Sequence, residues 1–405
     1  MTNVQPVVAT KLDWVTLLND PDIAEIGGEN NNDGVDYSRY WAMALLIDLE
    51  LKNKDYAIVF EYLQDVAALD SPTDPKQVVL YQVKKKASGE WTRASLCRGE
   101  KAEAISDAAN ATAAVAPTPV ARKASKKKLL AESPLGKLLI CVEKTLPLAA
   151  CTGTFVSNAA FGLKLKNGTS LKGPAVLNFA NLHLDDWVHI HNKLRKELSR
   201  TGDLDKLGLI SVEESGLPLK DVANAIVGRL DSFLRDAHNG LSAAGQIRER
   251  LLQAFSHLSG SKGTLSNFEQ VVAQKGFTRG QFQKLIGEFA NKQSHQAALD
   301  AVVSDLKNDG MLTRVANAIQ QEANRQQIEF THNPASRDVL HWNDALAAAK
   351  AHKELGTYLE MIKKVAFSLA GKEVETKSVV PTEIKIIALS ILAIIHVEQQ
   401  STPPN

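Results

Sequence analysis

Asp65, Gln82 and Lys84 are the residues of this 405-residue chain whose types and spacing best suit chemistry on a phosphodiester. Hydrolysing such a bond takes an acceleration of roughly 10¹⁵-fold. A divalent metal supplies much of it by activating water and stabilising the anionic transition state. Mg²⁺ is a hard ion that takes oxygen ligands, usually a few carboxylates completed by phosphate and water. Two neighbouring strands can present such a set. The first offers an aspartate; the second offers an acid or amide, one spacer and a lysine, because alternate strand residues share a face. Asp65 fits the first position, Gln82 the second through its amide oxygen, and Lys84 the base partner or charge stabiliser. The residues between Asp65 and Gln82 suffice for a strand, a proline-containing loop and a return strand. On its own the pattern is a weak signal, and the polar face of a solvated strand is its commoner meaning.

The surrounding sequence supplies the elements needed. Gln77 to Lys84 is the clearest strand, with Tyr81 and Val83 on one face and Gln82 and Lys84 on the other. Tyr56 to Glu61 reads as another strand, and a short one starts near Asp65. Asp70 to Pro75 is a loop by composition. Upstream, Tyr37, Trp41, Leu45 and Leu49 recur at helical spacing, predicting a helix over Asp36 to Leu51. The Ala- and Lys-rich stretch from about 101 to 128 reads as a mobile insertion. A helix is predicted after Ser133-Pro134-Leu135, a strand through Gly153 to Ser157, and an amphipathic helix over Asp221 to Leu234. Beyond about 236 strand signals fade and helical periodicity takes over. The expected organisation is an α/β domain over 1–235, with a flexible insertion at about 100–130, followed by an all-α domain over 236–405.

Particular segments resemble a known family. They are Val59-Phe60-Glu61, Asp65-Val66, Leu80-Tyr81-Gln82-Val83-Lys84 and Trp91-Thr92, together with Gly27-Gly28-Glu29, Gly34-Val35-Asp36-Tyr37, Trp41-Ala42, Ser133-Pro134-Leu135 and Phe155-Val156-Ser157-Asn158-Ala159. The family is the double-stranded DNA endonuclease domain of bacterial anti-phage effectors, namely the CBASS-associated nucleases and the related nuclease subunit of Lamassu systems. The resemblance spans roughly residues 25 to 235. It implies a restriction-endonuclease-like fold, in which Asp65, Gln82 and Lys84 match the metal-binding and catalytic motif. The metal would be Mg²⁺ or Mn²⁺. Gln82 departs from the commoner Glu, and a neutral amide is a poorer ligand than a carboxylate, so a second acid gains value. Glu61 is the nearest, with Asp36 and Glu29 as further choices that also suit turns or caps. In the CBASS nucleases the second domain is an α/β nucleotide-sensing module. Its alternation of strands and helices is not found here, and the helical second part fits the Lamassu arrangement, where an SMC-like ATPase complex holds the nuclease. The expected partners are therefore double-stranded DNA, that complex, and further copies of the chain in a dimer or tetramer. A catalytically inactive sensor or adaptor is the alternative.

Composition sets further bounds. Lys+Arg is 47 against Asp+Glu 46, so a protein that coats DNA constitutively is not expected and DNA contact would be local. Lys85 and Lys86 extend the run begun by Lys84 and suit phosphate contact or a solvated strand end. Trp91 suits packing at a core edge better than stacking on a base. The three cysteines form no CxxC pair, and His183, His189 and His191 lack the convergent partners of a zinc site. No signal peptide is read at the N-terminus, and the apolar run Ile386 to Ile395 is too short to span a bilayer. A cytoplasmic protein without membrane contact is expected, in which Ile384 to Val397, apolar nearly all round, forms a buried helix.

Overall fold

A computed structural model describes residues 13–18, 20, 32–98, 131–170, 175–238, 240–261, 265–332, 337–353, 357–369 and 381–401. Gly27-Gly28-Glu29 and the 101–128 stretch lie outside the described residues. The chain divides into two compact units, Met1–Ile286 and Gly287–Asn405.

The first unit is built on a seven-stranded sheet. Strands β1 (Ala57–Phe60), β2 (Val66–Leu69) and β3 (Gln77–Lys84) form an antiparallel meander. The short β4 (Trp91–Thr92) follows, and β5 (Ala150–Ser157) then returns parallel to β3. β4 pairs separately with β6 (Phe161–Gly162). β7 (Val176–Asn178), β8 (Ile210–Glu214) and β9 (Gly276–Thr278) complete the order β7-β8-β5-β3-β2-β1-β9. The crossover from β3 to β5 runs through helix Pro134–Thr145, whose start is fixed by its sequence. Ser133 caps it, accepting from the Gly136 N–H at 3.0 Å, and Pro134 takes the first turn, where its missing N–H costs nothing.

Helix Pro134–Thr145 covers one face of the sheet, burying Leu138 and Val142 in one core with Leu80, Phe155 and Val212. Its approach requires Gly153 on β5, where an added Cβ would stand 2.9 Å from side-chain atoms of Leu138, Val142 and Ile210. Helix Asn32–Leu51 covers the opposite face, and Trp41 meets Tyr81 there with ring centroids 4.7 Å apart. Helix Ala244–Ser259 joins it by setting Phe255 against Phe60 at 4.6 Å and against Phe277 of β9 at 5.3 Å.

Several sequence boundaries shift, among them that of helix Asn32–Leu51, which begins at Asn32 and not at Asp36. β1 ends at Phe60, not Glu61, because Glu61 turns into left-handed backbone at φ 46°. The first compact unit runs on to Ile286, past the compositional change near 236, because helices Ala244–Ser259 and Phe268–Lys275 and strand β9 all pack on the sheet. β9 has three residues, one of them glycine, so periodicity gives no sign of it.

The second unit is helical among its described residues: the remainder of helix Arg279–Asn308, then Thr313–His332, Arg337–Ala351, Tyr358–Leu369 and Thr382–Ser401. The last is the apolar helix expected from sequence. It lies at the centre of this unit, with Ile391, Leu392, Ala393 and Ile395 at most 1% exposed.

Candidate active site

The register of the meander places the three predicted residues together. Val66–Tyr81 is the last pair of the β2–β3 ladder, and continuing that register by one residue sets Asp65, just before β2, opposite Gln82. Directly opposed residues of an antiparallel pair project to the same face. The backbone N–H of Val83 donates to Asp65 Oδ2 at 2.7 Å, holding the carboxylate at the strand edge between Gln82 and Lys84. Lys84, half-buried, lies beside Ser157 in the parallel register with β5.

Gln82 is not on a solvated face. It is 1% exposed, and neither its Oε1 nor its Nε2 has a hydrogen-bond partner among the described residues. The same face of β3 continues inward as Leu80 and Val78, both core residues. An amide enclosed away from solvent with no protein partner costs about 1–3 kcal/mol. Such a group marks either a local defect or a place where something else binds.

The turn that delivers Asp65 is anchored at every residue. Tyr62, Leu63 and Gln64 are all buried. The Tyr62 hydroxyl donates to the Trp14 carbonyl at 2.7 Å. The Cys141 thiol donates to the Leu63 carbonyl at 3.3 Å, and Gln64 Nε2 donates back to Cys141 Sγ at 3.2 Å. Glu61 closes the turn by donating its N–H to the Asp65 carbonyl at 3.2 Å. Its left-handed backbone breaks the strand alternation, and its carboxylate acts electrostatically on Lys275 at the end of helix Phe268–Lys275. Burial pushes the Lys275 ammonium below the usual lysine range, and Glu61 opposes that shift.

Beyond β3 the lysine run separates. Lys85 is exposed to solvent. Lys86 folds back, with Nζ 4.3 Å from the centroid of the Trp91 ring, a cation–π distance. Asn158 clamps the Lys86 backbone on both sides: its Oδ1 accepts from the Lys86 N–H and its Nδ2 donates to the Lys86 carbonyl, each at 2.8 Å. Trp91 is a packing residue, 3% exposed, with its indole N–H on Ser157 Oγ at 2.8 Å. Ser157 and Asn158 thus brace the end of β3. The sequence singled them out only within a matching segment, and their role needs the parallel β3–β5 pairing. Lys275 gives no local signal, since it meets Glu61 only through the fold.

The other acids and histidines fall elsewhere. Asp36 is exposed and pairs with Arg39 at 2.9 Å along helix Asn32–Leu51. His183 accepts from the Asp185 N–H at the start of helix Leu184–Glu197, and His191 Nε2 accepts from the Leu204 N–H at 3.2 Å. Among the described residues no three His, Cys, Asp or Glu side chains gather as a metal site. The Asp65 carboxylate and the unpartnered Gln82 amide oxygen still fit a hard cation, as a sparse set that phosphate and water would complete.

No curated protein and no solved structure matches the chain. Residues 26–259 match the family model described as Cap4, dsDNA endonuclease domain. That span is more than half of the chain and contains the β1–β2–β3 meander, the crossover helix and β5 with the site at their edge, and the protein belongs to this endonuclease domain family.

Proposed function

We propose that the protein is a metal-dependent double-stranded DNA endonuclease acting as the effector of an anti-phage defence system, with Asp65, Gln82 and Lys84 as its catalytic group. The observation that carries this reading is the buried, unpartnered Gln82 amide across from a carboxylate held by a backbone N–H. The order helix–β1–β2–β3–helix–β5, an antiparallel meander followed by a parallel return, supports a restriction-endonuclease-like core.

Mg²⁺ or Mn²⁺ bound there would supply an activated water and charge for the anionic transition state. Asp65 and Gln82 Oε1 are the residues that would hold it, with Glu61 as a further carboxylate from the same turn. Asp65 needs no rearrangement, because the Val83 N–H and the buried turn already fix it. Lys84, on the same face two residues along, orients the attacking water or neutralises charge on the phosphate. Lys85 faces solvent and suits contact with a neighbouring phosphate, while Lys86 adds positive charge from its place over Trp91.

The helical unit Gly287–Asn405 is the regulatory part in this reading, docking an SMC-like ATPase complex of Lamassu type. Release then permits assembly into a dimer or tetramer, so that paired sites cut both strands. A formal net charge of +1 suits such gating, since one copy holds DNA weakly and gains affinity through multivalency. No described helix is long and apolar enough to cross a membrane.

The test is plasmid cleavage with Mg²⁺, with and without EDTA, by wild type and Lys84→Ala, alone and with co-purifying partners. Cleavage that EDTA stops and Lys84→Ala abolishes is expected. A Lys84→Ala protein that cuts like wild type refutes the site. Gln82 in place of an acid favours a second reading, an inactive sensor or adaptor, and a freed, oligomeric wild type that never cuts would establish it.

A further inference from the structure

Helix Leu184–Glu197 borders an open groove of about 650 Å³ on the surface of the first unit. His189, Asn192, Lys193 and Lys196 line it from one side of the helix, and Arg93 joins them from the segment after β4. These helix positions recur at spacings of three and four, so they form one continuous stripe. Leu184 and Val188, exposed at 68% and 44%, border its apolar end together with Asp185.

The cations are arranged for use. Lys193 and Lys196 are exposed, and neither forms an ion pair among the described residues. Arg93 is held from behind: Asp186, whose side chain is 8% exposed, takes Nη1 at 3.0 Å on one oxygen and the Lys164 N–H at 2.9 Å on the other. The remaining guanidinium donors keep a fixed orientation, and the Arg93 side chain is still 45% exposed. His189 Nε2 is enclosed with no hydrogen-bond partner among the described residues.

A short path of contacts ties the groove to the catalytic edge. Lys84 pairs in register with Ser157, Ser157 Oγ accepts from Trp91 at 2.8 Å, and Arg93 lies two residues beyond Trp91. We infer that this groove is a track for the phosphate backbone of duplex DNA, carrying the substrate away from the Asp65–Gln82–Lys84 edge, with Lys193, Lys196 and Arg93 as its phosphate contacts. The inference rests on the nuclease reading of that edge. Two lysines three residues apart on one helix face can each meet a phosphate of the same strand, and an openly accessible groove admits a stiff polymer. Asp185 disfavours phosphate at its end, so the strand lies along the 189–196 part.

The experiment measures binding of a labelled 30-base-pair duplex in EDTA, so that nothing is cut, across a series of salt concentrations. It compares wild type, Lys193→Gln/Lys196→Gln, and the charge-matched control Lys54→Gln/Lys76→Gln. The control lysines precede β1 and β3, at the opposite end of the sheet from Lys84. Each phosphate contact contributes about 0.9 to the slope of log K against log salt, or roughly eightfold in affinity at 0.1 M. The groove variant should therefore bind roughly 60-fold more weakly at 0.1 M, with a slope shallower by about 1.8, while the control follows wild type. A groove variant that binds with wild-type affinity and slope overturns the inference, and its cations would then suit an acidic protein. If wild type also cuts plasmid in Mg²⁺, the nuclease reading survives that failure. If wild type neither binds duplex nor cuts, both fail together.

Discussion

Replacing Gln82 by methionine separates fold from function at one atom group. The side chains have similar length and carry no branch at Cβ, so the enclosed space beside Phe155, the register partner of Gln82, stays filled while the amide disappears. Both amide heteroatoms are enclosed, and neither has a hydrogen-bond partner among the described residues, in a residue 1% exposed. Removing a buried polar group in that state recovers about 1–3 kcal/mol. At about 2 °C per kcal/mol for a unit of this size, the melting temperature should rise roughly 2–6 °C. The measurement is thermal unfolding in EDTA, paired with plasmid cleavage in Mg²⁺. A more stable protein that no longer cuts is the expected pair of results, because the amide is then disadvantageous to the fold and required by the chemistry. A Gln82→Met protein that melts several degrees lower would refute the reasoning, since the amide would have been satisfied within the fold. Cleavage at the wild-type rate would remove Gln82 from the site.

Other perturbations give distinct signatures. Gln82→Glu supplies a carboxylate to the same enclosed position; it should melt below wild type in EDTA, recover with Mg²⁺, and reach half-maximal cleavage at a lower Mg²⁺ concentration, all readable by melting and cleavage titrations. Lys84→Ala should abolish cleavage while leaving the melting temperature within about 2 °C, as expected of a half-buried residue at the end of β3. Ser133→Ala removes both the cap on Gly136 and a 2.6 Å hydrogen bond to Glu197, and should cost about 1–2 kcal/mol in denaturant unfolding. Glu213 has its carboxyl pushed up by burial and by Asp48 nearby, so the folded state holds this proton more tightly than the unfolded chain. Stability from that group is present at low pH and lost as pH rises through its raised folded value. Glu213→Gln should therefore melt above wild type at pH 7, with the gap closing as pH falls toward the ordinary glutamate range near ~4.3; a gap that persists or widens there contradicts the assignment.

The local pieces of the site were readable because strand alternation is a local rule. Gln77–Lys84 forms β3 over the span expected, and the pairing of Gln82 with Lys84 on one face needs only a period of two. The start of helix Pro134–Thr145 and the buried final helix also follow capping and periodicity, whereas helix Asn32–Leu51 begins four residues before the Asp36 start that its apolar spacing predicts. What the chain conceals depends on partners far away in sequence. Nothing near Gln82 indicates that its face is enclosed, because enclosure comes from helix Pro134–Thr145 and β5. The clamp of Asn158 on Lys86 requires the parallel return of β5, and the meeting of Glu61 with Lys275 requires helix Phe268–Lys275 to pack by β1. Arg93 and the stripe from His189 to Lys196 become one groove only when Asp186 joins them.

β9 pairs with β1 through Ala57–Thr278, Ile58–Phe277 and Val59–Gly276, although β9 follows β1 in the chain by more than two hundred residues. During translation the outer edge of β1 therefore waits, with four residues destined for complete burial and open backbone donors and acceptors. Such an edge is a template for pairing with other chains. The family match stops at residue 259, before β9, so expressing only residues 26–259 would leave that edge permanently uncovered. A fragment carried through Ile286, which retains β9 and the Arg279–Glu50 ion pair, should stay in solution where the shorter piece aggregates.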